Sequence, residues 1–90
     1  MSANEQRLDC VNRFVDLANA MHQGDQISTA VVSSALMTAC AVYATYSVTG
    51  NDGALKDSGI EKITSLFAVE LSQVQQAKIE RARSEGKDVP

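Results

Sequence analysis

The stretch that decides the fold runs from residue 26 to residue 50, QISTAVVSSALMTACAVYATYSVTG, without one Asp, Glu, Lys, Arg or His. Val31, Val32, Val42 and Val48 are β-branched and would suit a strand. The absence of any turn chemistry inside the run, and its frequent Ala, favour a single long helix instead. Ser28 can cap that helix with its hydroxyl, and Ile27 before it and Val32 after it have the spacing of a hydrophobic staple. One face reads Val32, Ala35 or Leu36, Ala39, Val42 or Tyr43, and Tyr46. The opposite face is small and uncharged: Ala30, Ser33, Ser34, Met37, Thr38, Ala41, Ala44 and Thr45. A helix with no charged face is normally enclosed on most sides, so a buried central helix is expected. Ala30 to Val48 is also long enough to cross a bilayer. Its hydroxyl content and its acidic flanks, Asp25 and Asp52, favour the soluble reading, with no membrane.

Working outward, the segment before this run opens on Ser2-Ala3-Asn4-Glu5, which has the form of a capping box. Leu8, Val11, Phe14 or Val15, Ala18 and Met21 then recur at helical spacing, opposite Arg13, Asp16 and Asn19. Gly24 stands where a left-handed helix cap belongs. After the run, Gly50-Asn51-Asp52-Gly53 is a dense turn signal, and Ser58-Gly59-Ile60-Glu61 has the form of a second capping box. Ile60, Ile63, Leu66 or Phe67, Leu71, Val74 and Ala77 continue as a third stripe. A mostly charged end follows from Lys78 to Glu85, Gly86 is a stop, and residues 86–90 form a tail. The expectation is one all-α domain over residues 1–90. It is a three-helix antiparallel bundle or hairpin with a buried, charge-free central helix, the helices covering about 4–23, 28–49 and 58–85.

Composition fits a small globular chain. There are 90 residues, 44% of them hydrophobic and 21% charged, with a single Pro. A chain this short hides only about two-thirds of its unfolded surface, and with aromatics at 4% its interior must be aliphatic. The net charge of −3 argues against nucleic acid, whose affinity depends on clustered Lys and Arg. Lys78, Arg81, Arg83 and Lys87 are interrupted by Glu80, Glu85 and Asp88, as on a solvated helix end. Cys10 and Cys40 are too few for a disulfide scaffold and read as small buried thiols in a reducing cytoplasm, the alternative being a redox-sensitive or disulfide pair between two helices. The polar N-terminus, with Glu5 and Asp9, lacks the pattern of a signal peptide.

Two strings resemble a known family. Phe14-Val15-Asp16-Leu17-Ala18-Asn19 in the first helix and the run from Val32 to Tyr46 in the second are similar, in order and spacing, to the small bacterial proteins of domain of unknown function 3144. That family has an Arg before its ring residue and an Asn after it, where this chain has Val42 and Ala44. The resemblance covers about half the chain. It implies a small helical bacterial protein and brings no activity with it.

Catalytic chemistry finds little support in the residues. Cys10 or Cys40 with His22 and Asp16 or Asp25 is the only conceivable nucleophilic set. The lone His22 cannot complete a zinc site with two cysteines alone, and no carboxylate bundle motif is present. No catalytic, cofactor or metal residues are assigned, and the chain reads as a non-enzymatic interaction or structural module. Tyr43 and Tyr46 read as core rings with their hydroxyls at a boundary, Met21 and Met37 as core filling, and Asn19 as a hydrogen-bonding partner of the first turn. Helices one and three can cover only one side of helix two. Ala30, Ser34, Met37, Ala41 and Thr45 are therefore the expected contact with a second copy in a homodimer, or with another protein. The alternative is a small-molecule binder with a pocket beside helix two. Circular dichroism should give a dominant helical spectrum; a substantial sheet component would show that the valines of the uncharged run form a strand.

Overall fold

A computed structural model describes residues 1–51 and 53–86; Asp52 and residues 87–90, on which part of the expected second turn and the expected tail fall, lie outside the described residues. Three helices follow one another: α1 (Ala3–Gln23), α2 (Thr29–Thr49) and α3 (Asp57–Ser84), with no strand among the described residues. Each boundary falls within one residue of the position read from the stripes and caps. The chain divides into two compact units, Met1–Tyr43 and Ala44–Pro90, with the boundary inside α2.

In the first unit, α1 starts on the expected capping box. The Ser2 hydroxyl accepts from the Glu5 amide at 3.1 Å, and the Glu5 carboxylate accepts from the Ser2 amide at 3.3 Å. Two otherwise orphan donors are thereby satisfied. On α1, Arg13 reaches Asp9 at 3.9 Å, one turn away and well exposed, a pair that contributes little to stability. The end of α1 departs from expectation. Gly24 is right-handed (φ −79°, ψ −50°), and the left-handed residue is Gln26 (φ 57°). Gly24 has a different reason to be glycine. A Cβ built there would stand 2.8 Å from the Ala20 carbonyl oxygen, which already accepts the Gly24 amide at 2.8 Å and the Asp25 amide at 3.2 Å. The chain then reverses at Gln26, and the Ile27 amide donates back to the Met21 carbonyl at 3.1 Å. Ser28 caps α2 as expected, its hydroxyl accepting from the Val31 amide at 3.2 Å. Ile27 and Val32, the two ends of the staple, are both half-buried, as are Ala18 and Met21 on α1.

In the second unit, α2 ends at Gly50, which is left-handed (φ 70°) and donates to the Tyr46 carbonyl at 2.7 Å. The Thr49 hydroxyl lies 3.1 Å from the Thr45 carbonyl and 2.8 Å from the Asn51 carbonyl, tying the helix end to the turn. The Asn51 side chain accepts from the Gly53 amide at 2.6 Å, an Asx turn. The second capping box does not form. Helix α3 begins two residues earlier than a Ser58 cap allows, with Lys56 at the cap position and no side-chain hydrogen bond there. Ser58 is already helical, and the Lys56 carbonyl takes the Gly59 and Ile60 amides at 2.9 and 3.1 Å. Leu55 sits over Gly59, where a Cβ would meet its Cδ2 at 3.1 Å; both residues and Ile63 are half-buried. Gly86 is left-handed (φ 72°) and stops α3 as read from the sequence.

The expected buried central helix is not found. No described residue of the chain is buried, in α2 or elsewhere. Most of the partly buried residues lie beside the two turns, with Ile79 and Ala82 near the end of α3 as further ones, while Phe14 on α1 and Phe67 on α3 are exposed.

The first turn yields a paired test. Left-handed Gln26 costs roughly 1–2 kcal/mol relative to a right-handed residue, so Gln26→Gly should raise stability by about 0.5–1 kcal/mol in urea unfolding. Gly24→Ala should lower it by about 1–2 kcal/mol, because its methyl meets a backbone oxygen. Reversed signs would mean that Gly24 accommodates a side chain and that Gln26 is not strained in its left-handed conformation.

Candidate functional site: the uncharged helix

Several hydroxyls of α2 bond to carbonyls of their own helix. The Thr38 hydroxyl donates to the Ser34 carbonyl at 3.3 Å, and the Ser47 hydroxyl to the Ala44 carbonyl at 2.7 Å. Hydroxyls turned onto carbonyls three or four residues back leave methyl and methylene groups as much of what the helix offers outward. With no charged side chain anywhere on it, α2 presents an apolar or weakly polar surface around its circumference.

The expected contact stripe is placed plainly. Ala30, Ser34, Met37 and Ala41 are exposed and belong to the first unit, while Thr45, in the second, is half-buried. From Ser33 to Tyr43 every residue is exposed, on both faces of the helix. Met37 stands at 61% and Val42 at 66%, but Leu36 of the larger-residue face also stands at 43%. The uncovered surface is therefore wider than the stripe, and sequence reasoning undercounted it by giving the Leu36 face to the neighbouring helices. Tyr43 and Tyr46 are exposed rings, not core rings, and Met37 fills no core gap, while Met21 is half-buried. By length and composition alone α2 could cross a membrane, a test that the core helix of a soluble protein also passes.

The chemically capable residues do not converge. Cys10 and Cys40 are both exposed free thiols, contrary to the expectation of buried ones, because the faces of α1 and α2 that carry them are uncovered. Cys10 and His22 share α1 at a separation of twelve residues, which is about 18 Å along the axis. His22 serves the backbone instead, its Nδ1 lying 2.7 Å from the Ile27 carbonyl oxygen and closing the turn after α1. That role was assigned to Asn19 from the sequence. The signal for His22 was its place in the last turn of the helix, where a ring nitrogen can reach carbonyls beyond the helix end. Among the described residues, no three His, Cys, Asp or Glu side chains gather as a metal group would require. A shallow open groove of about 310 Å³ lies along α1, lined by Cys10, Arg13, Phe14 and Leu17. These residues follow at three, one and three positions, so the groove is a second apolar face of that helix with a guanidinium at its edge.

No family model matches the chain, and no curated protein or solved structure is detectably similar to it.

Both thiols should react with a chromogenic disulfide reagent in the folded protein without denaturant, releasing two equivalents of chromophore. A thiol that reacts only after unfolding would show that its helix face is covered in solution. Replacing His22 with Ala should cost about 0.5–1.5 kcal/mol, the loss of one hydrogen bond, and protease sensitivity should rise first at the turn after α1.

Proposed function

We propose that this chain is a non-enzymatic helical interaction module that works as a homo-oligomer, at its simplest a dimer, in a bacterial cytoplasm. One observation carries the reading: α2 has no charged side chain, and none of its residues is buried by the chain itself. Among the described residues, nineteen large hydrophobic side chains are at least 42% exposed. Full burial of each contributes about 1.5–3 kcal/mol, so a second copy covering a few of them adds free energy comparable to the net stability of a small domain. Ala30, Ser34, Met37, Ala41 and Thr45 are the proposed centre of the contact, where small side chains let two helices approach closely across a two-fold axis. The Leu36 and Tyr43 face is available to a further partner protein.

The cytoplasmic and bacterial parts of the proposal rest on the two unpaired thiols and on the likeness to domain of unknown function 3144. Kinship with that family is itself part of the proposal, supported by residues 14–19 and 32–46. The small-molecule alternative draws less support, since the groove lined by Cys10, Arg13, Phe14 and Leu17 lies on α1 and not beside α2. Insertion of α2 into a bilayer is a second reading, favoured by its length and its uncharged circumference. Against it stand the hydroxyls of Ser33, Ser34, Thr38, Thr45 and Ser47 within the run and its acidic flanks, Asp25 and Asp52.

Light scattering at tens of micromolar, without detergent, should give a mass of at least twice 9.6 kDa for the unmodified chain. Ala41→Arg should shift it to a monomer or to aggregate by placing an unpaired charge where two helices meet. A 9.6 kDa monomer for the unmodified chain would overturn the oligomer proposal, and co-sedimentation with lipid vesicles would transfer α2 to the bilayer reading.

A further inference from the structure

We draw no further inference here: the strongest candidate, the open apolar groove along α1 lined by Cys10, Arg13, Phe14 and Leu17, carries nothing because nothing in the structure shows what covers it.

Discussion

An uncharged helix in water is the constraint on which the rest depends. Once folded, α2 satisfies its backbone internally, and its Thr38 and Ser47 hydroxyls add bonds to carbonyls of their own helix. What it cannot do internally is remove Val31, Leu36, Met37 and Val42 from solvent. A helix of this length gains most of its stability from packing rather than from propensity. The outer helices can supply part of that packing only where the chain turns, and there the half-buried residues gather: Ala18, Met21, Ile27 and Val32 at one turn, Thr49, Leu55, Gly59 and Ile63 at the other.

The turns show how closely local chemistry and local structure correspond. The two caps that formed, Ser2 and Ser28, each place a hydroxyl within reach of an amide three residues ahead. Ser58 had the same spacing to Glu61 and failed because the chain was already helical at Asp57, which puts an acidic side chain in the first turn where the helix dipole favours it. A capping box is a competition for one boundary, and its four-residue signature does not reveal whether the preceding residue will win.

Helix positions were therefore legible from stripes and punctuation, while burial was not. Periodicity states which residues share a face; it is silent on whether that face finds a neighbour within the chain. The charge-free run was read correctly as a helix and incorrectly as an enclosed one, because lack of charge expresses a need for cover and not its source. At the end of α1 the identity Gly24 was visible, but its cause was a carbonyl oxygen 2.8 Å from a would-be methyl, a steric fact that appears only in three dimensions. His22 was overlooked for a similar reason: its bond to Ile27 exists only after the chain has reversed. For the proposed contact stripe, the sequence supplied the residue types, and the structure adds that Ala30, Ser34, Met37 and Ala41 are exposed in the single chain.

The backbone bonds that close the first turn join residues at most six apart, Ile27 to Met21 being the longest. Such a turn assembles from near neighbours, with little loop to close. Chains dominated by local contacts reach their secondary structure in microseconds to milliseconds. Under an oligomeric reading, the slow event in the life of this chain is then diffusion of one molecule to another, and its pace is set by how much of the protein the cell makes.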